Sequence, residues 1–218
     1  MPRRFDLVVF DWDGTLIDSA GAIVACIQAA CRDLGLPVPE DERARHVIGL
    51  GLADSLAHAI PGLPESEYPR VAARYRHHFL ACDATLPLFP GTEEMLQTLR
   101  GRGHTLAIAT GKSRAGLARA LEQTGLKRFF DATRCADQCA PKPAPDMLRE
   151  LMVELGTDTG RMLMVGDTSH DLEMAANAAV AAVAVSYGAH DAARLATFAP
   201  LALVHSTREL SGWLAANA

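Results

Sequence analysis

The sequence has little of what marks nucleic-acid binders, membrane proteins and exported disulfide scaffolds. Aromatic residues make up only 6% of the 218 residues, too few to suggest a base-stacking platform. Lys and Arg total 21 against 26 Asp and Glu, a net charge of −5, whereas binding a phosphate backbone calls for a basic surface. No apolar run is long enough to span a bilayer, which argues against a membrane partner. The basic start Met1-Pro2-Arg3-Arg4 leads into an apolar segment that is too short for a signal peptide and is broken by Asp11 and Asp13. Export is therefore not expected, and the cytoplasm is the default compartment. The cysteines, Cys26, Cys31, Cys82, Cys135 and Cys139, are odd in number and lack paired-motif spacing, so reduced buried thiols are expected rather than zinc or disulfides.

What the chain does have is core-forming material, 49% hydrophobic against 22% charged residues. Short apolar runs at 7–10, 105–109, 132–135, 162–165, 181–185 and 201–204 read as strands. Helical patterns follow most of them, at 92–102, 114–124, 146–155, 172–178 and 207–214. Strands separated by helices of this length predict crossover units and an α/β fold with a doubly wound, Rossmann-like parallel sheet. Residues 20–88 break the alternation. Ile23, Val24, Ile27, Ala30, Cys31 and Leu34 recur at helical spacing, Gly35-Leu36-Pro37 stops that helix, and further helical pieces follow at 42–48, 53–60 and 67–82. This predicts a helical domain, 19–86, inserted into a core made of 1–18 and 87–218.

Four features lie just past four candidate strands. Asp11 and Asp13 follow the first, Thr110 and Gly111 the second, and Gly166-Asp167-Thr168-Ser169-His170-Asp171 the fourth. Lys142, in Ala140-Pro141-Lys142-Pro143-Ala144-Pro145, precedes a helix. The carboxyl ends of parallel strands share one sheet edge, so these groups can converge. Together they suit phosphoryl transfer. Clustered carboxylates need a divalent cation, and hard oxygen donors with room for water select Mg²⁺. One carboxylate can attack phosphorus, and a second two residues on can move the proton. A Thr hydroxyl, a backbone N–H near Gly111 and a Lys ammonium can hold the phosphoryl oxygens.

Asp11-Trp12-Asp13-Gly14-Thr15-Leu16, Thr110-Gly111, Lys142-Pro143 and Gly166-Asp167 through Asp171 resemble the four motifs of the haloacid dehalogenase superfamily, in order and spacing across the chain. The resemblance implies a Rossmann-like core with Mg²⁺-dependent phosphatase activity. It implies Asp11 as nucleophile and Mg²⁺ ligand, and Asp13 as general acid/base that ligates Mg²⁺ through its carbonyl. Thr110 and Lys142 bind the phosphoryl group, Asp167 ligates Mg²⁺, and Asp171 supports the ion directly or through water. An acid at position 13 favours phosphoesters over halides, because a phosphoester leaving group benefits from protonation. The inserted helices match the superfamily's helical cap, with His46-Val47-Ile48-Gly49-Leu50-Gly51 as its specificity loop and Gly49 near substrate. Among capped members the chain is most similar to phosphoglycolate phosphatases. The implied partner is a small phosphorylated metabolite, 2-phosphoglycolate first, in a monomer or homodimer. A β-phosphoglucomutase-type phosphotransferase shares the core and cap. A signalling receiver domain also combines acids, a Thr or Ser and a Lys at a sheet edge, but lacks the insert and the second acid.

Several residues have blander readings. Adjacent His77 and His78 point about 100° apart on a helix and suit a solvated face better than a metal. Lys112 is an alternative cation for the site but reads more readily as a solvated side chain, Asp18 and Ser19 read as a helix start, and Arg45, Arg74 and Arg76 as surface charge.

Overall fold

The computed structural model describes residues 4–218; residues 1–3 of the basic start lie outside them. Six strands form one parallel sheet: β1 (Leu7–Phe10), β2 (Thr105–Thr110), β3 (Ala132–Cys135), β4 (Met162–Gly166), β5 (Ala181–Val185) and β6 (Ala202–Val204). Their order is β3-β2-β1-β4-β5-β6, so the winding direction reverses between β1 and β4. The crevice outside the carboxyl ends at such a reversal is where open α/β sheets bind ligands.

β1 is buried along its whole length, which explains a sequence with no polar alternation. Alternate side chains serve opposite cores. Val8, Phe10, Leu106, Ile108, Leu163 and Val165 pack with α5 (Thr92–Gly101), α6 (Arg114–Thr124) and α10 (Thr207–Asn217). Leu7, Val9, Ala107, Met162 and Met164 pack on the other face with α7 (Asp146–Leu155) and α8 (Ser169–Asn177). The short α9 (Ala192–Ala196), absent from the sequence reading, seats Leu195 against Leu172 and Ala184.

Register places the chemistry. Phe10 lies opposite Ile108 on one side and Val165 on the other. Asp11 follows Phe10, Thr110 ends β2, and Asp167 follows the end of β4, so all three leave the sheet at one edge.

Between β1 and β2 the chain forms α1 (Ala20–Leu34), α2 (Asp41–His46), α3 (Leu52–Ala59), α4 (Tyr68–Cys82) and then α5. The first four bury two apolar clusters of their own. One centres on Ile23, Val24, Ile48 and Phe79, the other on Val47, Leu56, Ile60 and Val71. The two chain segments that join this insert to the sheet run side by side. Ile17 bridges Leu88 antiparallel, the Asp18 N–H donates to Pro87 O at 2.9 Å and the Phe89 N–H to Leu16 O at 3.1 Å. Cys26 of α1 and Cys82 of α4 face each other with their sulfurs 3.9 Å apart, and all five cysteines are free thiols. No helix among the described residues is long and apolar enough to cross a membrane.

Leu163 lies in β4 with no exposed surface. Leu163→Ala is expected to lower the unfolding free energy by about 2–5 kcal/mol, through lost transfer energy and the cavity left behind. Urea denaturation checks this.

Candidate active site

Lys142 anchors the site. Its side chain is fully buried, and its Nζ lies 2.9 Å from Asp11 Oδ1 and 2.6 Å from Asp171 Oδ1. It reaches there from the loop between β3 and α7, which turns where the Ala144 N–H donates to Pro141 O. Burial works against the ammonium charge, but the two carboxylates outweigh it and hold Lys142 above the usual lysine range.

Each carboxylate is then fixed differently. Asp11 Oδ1 accepts the Trp12 N–H at 2.6 Å and also faces Lys142. Asp11 Oδ2 is buried without a hydrogen-bond partner. Burial, then the charges of Asp171 and Asp13, push the Asp11 carboxyl up to about 7 against the opposing pull of Lys142. Asp13 is turned elsewhere: its Oδ1 accepts from Ser19 Oγ at 2.7 Å and pairs with Lys112 Nζ at 3.0 Å. Asp167 accepts from Thr15 Oγ1 and from the Ala189 N–H, each at 2.7 Å. Burial and the charges of Asp11 and Asp171 raise its pKa well above the carboxylate range.

Asp171 does two jobs. Thr168 and Asp171 form a capping box at the start of α8, in which Asp171 Oδ2 accepts from the Thr168 N–H and hydroxyl at 3.0 and 2.7 Å. Its other oxygen faces Lys142. Thr110 is buried at the end of β2, and its hydroxyl accepts the Lys112 N–H at 3.2 Å.

One oxygen each of Asp11, Asp167 and Asp171 lies within 4.8 Å of the other two, and all three residues are buried. Three buried carboxylates gathered against one lysine leave negative charge and oxygen donors that fit a hard divalent cation. The Asp13 side chain is not part of that cluster.

Glycine lets the backbone close in. Gly14 has φ +78°, and a Cβ there would sit 2.1 Å from Asp167 Oδ2. The insert touches the core at Gly49, whose carbonyl oxygen would lie 2.5 Å from a Cβ on Gly111. A Cβ on Gly49 would itself stand 3.4 Å from Thr168 Oγ1 and 3.9 Å from Asp11 Oδ2, so this loop does sit over the acids.

Three histidines hold the loop down. His170 Nε2 lies 2.7 Å and His190 Nε2 3.3 Å from the carbonyl oxygen of His46. The Ser169 N–H donates to His190 Nδ1 at 2.9 Å, which leaves the proton on Nε2 and makes that nitrogen a donor to His46 O. The three ring nitrogens lie within metal-ligating distance of one another, but this tautomer favours a hydrogen-bonded clamp over a metal site. Burial is the main reason that His46 and His190 are each pushed down to about 4, so both rings are neutral near pH 7.

The structure brings Asp11, Asp13, Thr110, Gly111, Lys142, Asp167, Asp171 and Gly49 to one edge. It favours the alternative reading of Lys112 as a site cation over the solvated one, since its side chain is mostly covered between Asp13 and the Phe79 ring. Ser19 stands at the start of α1, yet its hydroxyl goes to Asp13 and not to the helix. Lys112 was open to detection, because it lies two residues beyond Thr110. Nothing local marks His190 or Gly188, where a Cβ would meet Asp167 Oδ2 at 2.2 Å.

A pH dependence follows for the metal-free protein. Unfolded, Asp11 ionises near its ordinary 3.8; folded, it holds its proton up to about 7. The folded state binds the extra proton between those values, so this contribution to stability is full below about pH 4 and is lost as pH rises through about 7. Asp11→Asn removes the loss. Relative to the unsubstituted protein, the variant is expected to gain stability between about pH 4.5 and about pH 7.5, read by urea denaturation without divalent cations.

Residues 8–185 match the model of the haloacid dehalogenase-like hydrolase family. A protein named probable phosphatase IndB, from Dickeya dadantii, is 38% identical over 212 residues, covering 94% of this chain and 92% of its own. A phosphoglycolate phosphatase from Agrobacterium fabrum is 33% identical, covering 85% and 82%. The crystal structure of a hydrolase from Pseudomonas syringae superposes with a TM-score of 0.89 over 99% of both chains; at 22% identity it speaks to the fold alone. A family match over most of the chain, with the family's acids, threonine and lysine gathered at one sheet edge, makes this protein a member of the haloacid dehalogenase-like hydrolases.

Proposed function

We propose that this protein is a Mg²⁺-dependent phosphatase that hydrolyses a small phosphorylated metabolite through an aspartyl phosphate on Asp11. The observation that carries this reading is the state of the Asp11 carboxylate. One oxygen is held by the Trp12 N–H and Lys142, while the other is buried without a hydrogen-bond partner and faces the Gly49 loop. A nucleophile needs such an arrangement, with one oxygen oriented and the other free to attack.

In the first step Asp11 Oδ2 bonds to phosphorus as the ester P–O bond breaks, and Asp13 gives its proton to the leaving alkoxide. In the second step Asp13 takes a proton from water as that water attacks phosphorus. The bond from Asp11 to phosphorus then breaks and phosphate leaves. Ser19 and Lys112 hold Asp13 from one side, which orients the acid for both transfers. Thr110, the Gly111 N–H and Lys142 hold phosphoryl oxygens and offset the charge that builds on them. Bound Mg²⁺ would be held by Asp11 and Asp167, with the Asp13 carbonyl as a further donor and Asp171 behind it, and would supply charge neutralisation at the phosphoryl group. Residues 19–86 serve as a cap that excludes water.

Relatives named phosphoglycolate phosphatase make 2-phosphoglycolate the reference substrate. The helical insert and the second acid argue against a receiver domain. Release of free phosphate both with and without glucose phosphates separates hydrolysis from the mutase reaction.

Phosphate release from 2-phosphoglycolate and p-nitrophenyl phosphate tests the mechanism. Asp11→Asn is expected to abolish turnover while the variant stays folded. Asp13→Asn is expected to lower kcat by about 10²–10⁴-fold. Chelation with EDTA should stop the reaction and added Mg²⁺ restore it. Substantial Mg²⁺-dependent turnover by Asp11→Asn would sink this mechanism.

A further inference from the structure

Beneath the insert lies a cavity of about 620 Å³ whose floor carries Asp11, Asp13, Thr110 and Gly111. This is the size of pocket that encloses a drug-sized molecule, roughly 300–1,000 Å³. 2-Phosphoglycolate, with two carbons, would occupy a small part of it. The walls are also wrong for a small diacid. They are built from Ile23, Ile27, Leu56, Val71, Tyr75 and Phe79. Among the described residues that the insert contributes to the lining, Arg76 alone carries a formal charge, and it is exposed. The core's cations on the lining are engaged already: Lys112 with Asp13, and Arg119 with Asp83 at 2.8 Å. A substrate carboxylate would find apolar walls, whereas a hydrocarbon or ring body would displace water from them.

We infer that the cavity selects phosphomonoesters whose alcohol portion is bulky and predominantly apolar, in preference to 2-phosphoglycolate. The phosphoryl group sits on the core acids and the organic body fills the space between α1, α3 and α4. This inference rests on the phosphatase reading above, because it uses the acids on the floor to fix which end of the substrate is phosphorylated.

The test is a homologous series of methyl, ethyl, butyl and hexyl phosphate, with 2-phosphoglycolate alongside, assayed with Mg²⁺. Each added methylene is expected to raise kcat/KM by about two- to fourfold until the cavity is filled. Butyl and hexyl phosphate should then exceed 2-phosphoglycolate. Leu52, half-exposed in the first turn of α3 and on the cavity wall, provides a variant whose folding is not at risk. Leu52→Asp is expected to shrink the hexyl-to-methyl ratio by about fivefold. A flat or falling series, or 2-phosphoglycolate as the best substrate, overturns the inference while turnover that depends on Asp11 keeps the phosphatase reading. Calorimetry with the matching alkylphosphonates separates the two ideas from the other side. Affinity that rises with chain length, with a negative heat-capacity change, supports the apolar pocket even if no phosphoester is turned over, an outcome that removes the phosphatase reading instead. Affinity independent of chain length overturns the inference.

Discussion

Everything at the sheet edge depends on a fully buried ammonium placed between two buried carboxylates. Without Lys142, Asp11 and Asp171 would face each other with no compensating charge, and an uncompensated buried charge is strongly destabilising. The lysine is held above its usual range by the two acids, yet Asp11 and Asp167 remain raised, first because burial disfavours their charged forms and then because the neighbouring acids repel them, which one cation does not offset. The residual deficit is what suits the site to a divalent ion. The same pair also couples distant parts of the chain. Lys142 comes from a proline-rich loop, Asp11 from the end of β1, and Asp171 from the capping box of α8. A helix start, a loop and a strand end are thereby fixed by one cation.

The helical insert meets the core through two backbone carbonyls and through the side chains of Ser19, Phe79 and Asp83, which reach Asp13, Lys112 and Arg119. The Gly49 carbonyl approaches Gly111, and the His46 carbonyl accepts from His170 and His190. Side chains larger than glycine at 111 would push the loop away. The His46 and His190 imidazoles are kept neutral by burial first and then by the repulsion that His170 and Arg194 would exert on a charged ring. Close to Asp13, the paired linkers at Ile17 and Leu88 run side by side, which lets the helical insert leave and return without disturbing the strand order.

Much of this was legible in the sequence, and the reasons are physical. A parallel strand buried on both faces must be a short apolar run, so Leu7–Phe10 and Met162–Gly166 stand out between helices. Paired acids after such a run cannot continue it, so Asp11 and Asp13 mark a strand end. Convergence of Asp11, Thr110 and Asp167 follows from parallel strands alone, and Lys142 joins them from the loop between β3 and α7. Of the two readings of Lys112 the solvated one fails, because packing against Phe79 and pairing with Asp13 cover most of the side chain and neither is visible in a lone Lys on a loop. Gly188, Ser19 and the His46, His170 and His190 clamp depend on residues brought together by tertiary packing, and no spacing rule encodes them.

The arrangement divides the work between two sets of residues. The groups that can act on phosphorus stand on the ends of strands, where the sheet fixes their positions. The groups that surround the rest of a substrate stand on α1, α3 and α4, which have their own apolar clusters. Contact between the sets runs through the carbonyls of His46 and Gly49 and through Ser19, Phe79 and Asp83, and Ile23, Ile27, Leu56 and Val71 of the walls are not among these residues. The walls of the cavity can therefore change in shape and polarity while the acids and the lysine stay where they are. On the inference drawn above, substrate preference follows from the aliphatic and aromatic walls of the insert, and the chemistry on the floor fixes which end of the substrate is phosphorylated.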